Sequence, residues 1–157
     1  MANTTNNIQM NISDKTRYTI NGNKDKYIEL NTGDVGIIAR MGEVIPTING
    51  LVDKYENLIG NTDDEQDFMA FSKAFSDIDK ELRDVTNLLF DYDVCSVCAS
   101  GGSMLDMCNG EYRFTEIITT LISMYQDTIS AESKKLMSKM KKHTDKYTTQ
   151  DHQKKKG

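Results

Sequence analysis

The hydrophobic period changes along the chain, and the changes divide it into elements. Residues 17–20 and 27–30 alternate polar and apolar positions, which puts Tyr18, Ile20, Ile28 and Leu30 on matching faces. Between them Asn21-Gly22 supplies two residues that tolerate positive φ, so the pattern predicts a β-hairpin with a somewhat longer loop. A lone hairpin is marginal in water and must lie on something. From Thr32 the spacing becomes helical: Val35, Ile38, Met41, Ile45, Ile48, Val52, Tyr55 and Ile59 recur at intervals of three and four. Thr32 is read as the cap, with Asp34 in the first turn where the helix dipole favours it. Pro46 lies inside the run and removes one backbone hydrogen bond. It either kinks a single helix or opens a second, with Gly42 as the weak point.

A second helix is predicted over Phe68, Phe71, Phe75, Ile78, Leu82, Val85 and Leu89, preceded by Asp63, Asp64, Glu65 and Asp67. It carries all but two of the phenylalanines, so it is expected to supply much of the core. Residues 91–110 are irregular, with a helical turn near Val94 to Ala99, a break at Gly101-Gly102 and a turn at Asn109-Gly110. A last long helix is expected from Glu111, with Phe114, Ile118, Leu121, Tyr125, Ile129, Leu136 and Met140 along one face. Its second half keeps only Leu136, Met137 and Met140 as large apolar residues, so it is expected to project beyond the core. The expected fold is mainly α: an N-terminal β-hairpin, a bundle of roughly three to five helices and a long projecting C-terminal helix. A single domain over 16–147 would lie between a disordered Asn-rich arm, 1–15, and a disordered Lys-rich tail, 148–157.

Composition narrows the function. The chain has 157 residues, 38% of them hydrophobic. It has no apolar run near the ~20 residues that span a bilayer, and no start resembling a signal peptide. Its net charge of -5 is unevenly placed, at -12 over residues 1–133 and +7 over residues 134–157. An acidic body with a basic end suggests contact through that end. Tyr147 is the only aromatic among these lysines and the body would repel phosphate, so nucleic acid is the weakest partner for it.

Cys95-x-x-Cys98, with Cys108 ten residues on, is the one metal-like spacing. The two histidines, His143 and His152, lie far along the basic end, and no second CxxC follows, so a zinc site is not expected. No strand–helix context suits a redox pair, and Cys95 and Cys98 read as small apolar side chains. Gly33, Gly36 and Gly42 fit no phosphate-binding loop, and Gly101-Gly102-Ser103 reads as a helix stop. The carboxylates fall on polar faces or at helix starts. No enzyme, cofactor or metal ion is expected. The remaining candidates for partner binding are Lys135, Leu136, Met137, Lys139, Met140, Lys141 and Lys142, where Met side chains would give an adaptable face between cations.

Three blocks carry a resemblance. They are the Ile-Glu-Leu of 28–30 followed by Asp34-Val35, the Leu-Phe-Asp of 89–91, and the Ser-Met-Leu-Asp of 103–106 leading to Asn-Gly-Glu-Tyr-Arg-Phe at 109–114. In this order, over residues 17–147, the chain resembles the tail assembly chaperone-like proteins of long-tailed phages of Firmicutes, encoded upstream of the tape-measure gene. The resemblance implies a protein that keeps the tape-measure protein soluble and helps tail-tube subunits polymerise around it. It implies action in the host cytoplasm, absence from the finished virion and no membrane partner, and self-association is compatible with it. The family commonly makes a longer form by ribosomal frameshifting near the end of the gene. Lys154-Lys155-Lys156-Gly157 would fit a slippery site, against the plainer reading of a Lys-rich tail. Two other functions compete: a minor structural protein at the head–tail junction or tail terminator, and a small regulator using Cys95, Cys98 and Cys108.

Overall fold

The structure, a computed structural model, describes residues 4–10, 15–60, 68–129, 135 and 137–139. Asp63, Asp64, Glu65, Asp67, Leu136, Met140, Lys141, Lys142, both histidines and the tail at 148–157 lie outside the described residues.

The hairpin forms where the alternation places it. Strand β1 (Thr16–Ile20) pairs antiparallel with β2 (Asn23–Leu30), setting Thr16 against Leu30, Tyr18 against Ile28 and Thr19 against Tyr27. Asn21 and Gly22, at φ 52° and 72°, make the whole turn. The expected longer loop is therefore corrected. The extra residues are absorbed inside β2, where the pairing jumps to Ile20 against Asn23. Ile28 and Leu30 are fully buried, so the inner face of β2 rests on the helices, as a two-stranded ribbon requires.

Helix α1 (Gly36–Gly60) begins two residues after Asp34, not at Thr32. The Gly36 amide donates to Asp34 Oδ1 at 2.9 Å, so the carboxylate does the capping that a Thr32 hydroxyl was expected to do. Thr32 instead offers its carbonyl to the Thr128 hydroxyl at 2.8 Å. Pro46 does not divide the run: one 25-residue helix passes through it. Gly42 and Pro46 are both exposed, so the missing backbone bond falls on the solvent side. The inward positions Ile37, Met41, Val44, Ile45, Ile48, Leu51 and Val52 are buried. Val35 lies before the helix and is exposed.

Helix α2 (Phe68–Phe90) packs along α1. Its buried positions are Ile78, Leu82, Thr86, Leu89 and Phe90. The expectation that its phenylalanine stripe fills the core is corrected here. Phe68 is exposed and Phe71 and Phe75 are half-buried, whereas the two phenylalanines outside the stripe, Phe90 and Phe114, are fully buried. Asp91, in the left-handed region at φ 51°, ends α2. Arg40 ties this end to the start of α1: its Nε donates to the Leu89 carbonyl and its Nη2 to Asp34 Oδ2, each at 2.8 Å.

The short helix α3 (Cys95–Cys98) and a second, two-residue-strand hairpin, β3 (Met107–Cys108) with β4 (Glu111–Tyr112), occupy the irregular segment. Its turn is the expected one, Asn109 at φ 55° and Gly110 at φ 83°. Helix α4 (Arg113–Ser123) follows directly. The expected continuous helix from Glu111 to Met140 is broken. After Ser123 the chain closes three-residue turns, Tyr125 N–H to the Ile122 carbonyl at 2.9 Å and Thr128 N–H to Tyr125 at 2.9 Å. Tyr125 and Ile129 nevertheless stay buried, so the apolar spacing survives the loss of regular helix. The architecture is mainly α with an N-terminal hairpin; of the projecting helix, only residues 135 and 137–139 are described, all helical.

The Asp34–Arg40 bond gives the fold one acid-sensitive joint. The Arg40 guanidinium, and behind it the Gly36 amide, hold the Asp34 carboxyl below its usual value against the opposing effect of burial. A depressed folded pKa means that the contribution is complete above the unfolded value and is lost as pH falls through the folded one. Asp34→Asn is therefore expected to flatten the loss of stability from about pH 5 downward. Urea unfolding at neutral and acid pH measures this, and an unchanged acid slope would contradict it.

Candidate functional site

The three blocks behind the family resemblance build the fold. Ile28 and Leu30 seat the hairpin and Asp34 caps α1. Leu89 and Phe90 fill the core at the end of α2. In the third block, Asp79 on α2 accepts the Met104 amide at 2.7 Å and the Ser103 hydroxyl at 3.0 Å. Arg83, one turn on and 3.5 Å from Asp79, donates to the Gly102 carbonyl. Asp106 accepts the Ser103 amide and the Arg113 guanidinium, each at 3.1 Å, and its carbonyl takes the Arg113 amide at 2.7 Å. With Met104 and Leu105 buried beneath, this block clasps the loop and the start of α4 onto α2.

The candidate partner residues at the C-terminal end are placed only in part. Lys135 and Lys139 are exposed on the helical stretch. Met137 is half-buried and packs against the chain's own core, lining a cleft of about 340 Å³ with Ile122, Ser123, Gln126 and Ile129. Thus the structure brings Met137 to the end of α4. A second cleft of about 410 Å³ lies between the tip of the first hairpin and α3, lined by Asn21, Asn23, Lys26, Cys98 and Arg113 among others. Arg113 in it is already held by Asp106 and by the Ser103 carbonyl at 3.2 Å.

The feature that the sequence reading missed is the far end of the α1–α2 pair. Ile59 is 47% exposed, Phe68 66% and Met69 77%. Behind them runs a ladder of rings. Phe71 stacks on Phe75 at 6.4 Å, Phe75 meets Tyr55 at 5.9 Å, Tyr55 meets Tyr112 at 6.4 Å, and Tyr112 stacks on Phe114 at 5.4 Å. The Tyr112 hydroxyl donates to Glu56 Oε1 at 3.1 Å, anchoring the second hairpin to α1. Burial, with Glu56 beside it, pushes the Tyr112 phenol upward, so it stays a neutral donor. The ladder runs from the fully buried Phe114 out to the half-buried Phe71, and the last side chains beyond it stand in water. A periodic stripe signals an apolar face but not which part of that face is covered. The usable signal is that Ile59 and Phe68-Met69 sit on either side of the helix connection.

The cysteines pack as expected of small side chains. Cys95 is buried with its thiol 3.7 Å from the Arg83 carbonyl, and burial pushes it up to about 12. Cys98 is half-buried and is also pushed up by burial. Among the described residues no group of three or more His, Cys, Asp or Glu is arranged to hold a metal ion. Among the same residues no helix is long and apolar enough to cross a membrane.

Two outcomes follow from this placement. Phe68→Ser combined with Met69→Ser is expected to shift unfolding stability by about 0.5 kcal/mol or less, as for surface positions, whereas Phe90→Ala should cost about 3–5 kcal/mol. Equal losses in thermal or denaturant unfolding would show that Phe68 and Met69 are core. Thiol labelling of the native protein should reach Cys98 or Cys108 before Cys95, and early Cys95 modification, read by peptide mass, would contradict its burial.

Comparison of the chain with known protein families, with characterised proteins and with solved structures gives no match.

Proposed function

We propose that the chain is a non-enzymatic assembly chaperone of a long-tailed phage that binds the tape-measure protein in the host cytoplasm and promotes tail-tube assembly around it. The observation that carries this reading is the exposure of Phe68 and Met69 at the start of α2, in front of the aromatic ladder. A tape-measure protein is a long helical chain with apolar stripes that aggregate when bare. A rigid helix pair ending in Phe and Met side chains offers such a stripe a groove-edge contact of the helix-in-groove type. Met69 adapts its shape to varied side chains, and Phe68 supplies rigid area. Stoichiometric shielding needs no nucleotide and no metal, in keeping with a site of apolar side chains. The exposed Lys135 and Lys139 belong to the basic end, which would steer the chain toward acidic partner surfaces. The family resemblance of residues 17–147 supports the same assignment.

Co-expression tests it. A tape-measure protein from the same phage genome, insoluble when made alone, is expected to stay soluble and to co-purify with this chain. Phe68→Ser with Met69→Ser should abolish both effects while leaving the chaperone folded. A tape-measure protein that remains insoluble beside the wild-type chain would overturn the proposal, as would finding the chain abundant in purified virions by mass spectrometry.

A further inference from the structure

The cleft of about 410 Å³ between the tip of the first hairpin and α3 differs in charge from the body around it. Residues 1–133 hold a net -12, yet among the described residues no carboxylate lines this cleft, whereas Lys26 and Arg113 do. The two cations are not equivalent. Arg113 is paired with Asp106 at 3.1 Å and gives its Nε to the Ser103 carbonyl at 3.2 Å, so it is held in place and largely neutralised. Those bonds use Nε and Nη2 and leave the Nη1 hydrogens. The Lys26 side chain makes no hydrogen bond or ion pair among the described residues. The positive charge that the chain itself leaves unanswered here is therefore that of Lys26.

The backbone sets further donors around the same opening. The hairpin pairing jumps from Thr19–Tyr27 to Ile20–Asn23, so residues 24–26 have no partner on β1 and Lys26 stands outside the ladder. A bulge of this kind bends the strand and re-aims a side chain. Asn23 Oδ1 accepts the Asp25 amide at 2.9 Å, which leaves the Nδ2 hydrogens of Asn23 as donors. On the α3 side, Ser100 is held in the left-handed region at φ 41°, an uncommon conformation for a non-glycine residue, and brings a hydroxyl to the cleft. Ile20, Val97 and Cys98 add apolar lining. Donors beside a short apolar wall, with one unanswered positive charge, match a single carboxylate on an aliphatic stem. A phosphate dianion would leave negative charge over on a body that is already acidic.

We propose that this cleft takes one glutamate side chain from an acidic segment of a partner protein, with the carboxylate between Lys26 and Arg113 and the methylenes against Ile20 and Val97. The contact is separate from the apolar one proposed above, since neither Phe68 nor Met69 lines the cleft. It does not require the partner to be a tape-measure protein, and the co-expression result stands whatever the outcome here.

Nuclear magnetic resonance titration of the full-length chain tests it, with the blocked peptide acetyl-Ala-Glu-Ala-amide, its counterpart acetyl-Ala-Gln-Ala-amide, and inorganic phosphate as probes. The glutamate peptide is expected to shift the backbone signals of Asn21, Lys26 and Ser100 saturably. It should also slow alkylation of Cys98 while leaving Cys108 as reactive as before, and added salt should weaken it. The glutamine peptide should bind at least about fivefold more weakly to the wild type, as should the glutamate peptide to Lys26→Met, which keeps an apolar stem and removes the charge. Lys26 is exposed, so this variant keeps the fold, whereas Arg113 is left intact because it holds the loop. Equal binding of the two peptides overturns the proposal, as does a Lys26→Met protein that binds as well as the wild type. So does the lack of any saturable shift, or shifts confined to other parts of the chain. Phosphate binding tighter than the glutamate peptide also overturns it and would mark a phosphate site.

Discussion

The structure depends on one pairing, the long antiparallel packing of α1 against α2. These two helices, of 25 and 23 residues, are longer than the rest of the described chain can cover. The other described elements are laid along them from one end. The first hairpin seats Ile28 and Leu30, Arg40 bridges the start of α1 to the end of α2, and Tyr125 closes over Phe90. The second hairpin reaches further, to Tyr55 and Glu56 through Tyr112, and among the described residues the covering goes no further. The exposed apolar side chains are thus a consequence of length: the last turn of α1 and the first of α2 extend past the other described elements. Burying those side chains would recover hydrophobic free energy, which is the drive that a partner can use.

Polar joints add to the buried apolar cluster in holding the covering elements in place. Asp79 and Arg83 sit one turn apart on α2 and hold the 102–104 backbone, while Asp106 and Arg113 lock the loop to α4. Each carboxylate accepts from backbone amides as well as from side chains, so removing one would leave several donors without a partner in a half-buried setting. Asp106 and Arg113 belong to the third block on which the family resemblance rests, and Asp79 and Arg83 are the α2 residues that hold this block. Each block does a local job, as a cap, a turn or a clasp.

Much of this was legible in the sequence. Alternation found the first hairpin, spacings of three and four found α1 and α2, and Asn109-Gly110 found the second turn. The errors have physical causes. Thr32 and Asp34 are both capping residues, and only the position of Gly36 relative to the Asp34 carboxylate decides between them. The length expected in the hairpin loop is taken up by a shift in pairing that no composition signals. Three-residue turns after Ser123 keep Tyr125 and Ile129 inward, so the periodicity looked continuous where the helix had ended. The Phe68, Phe71, Phe75 series was read as core because a stripe reports the direction of a face. Whether anything lies against that face is set by how far the other elements reach.

The central claim is that the end carrying Phe68 is where the chain meets its partner. Photo-crosslinking tests it most directly, with benzoylphenylalanine replacing Phe68 in one protein and Leu88 in another. Leu88 is a fair control, since it is 53% exposed but lies at the covered end of α2. In cells making the phage tail proteins, crosslinks from position 68 to the tape-measure protein, with none from position 88, are the predicted result. No tape-measure adduct at position 68, or equal adducts at both positions, would contradict the account.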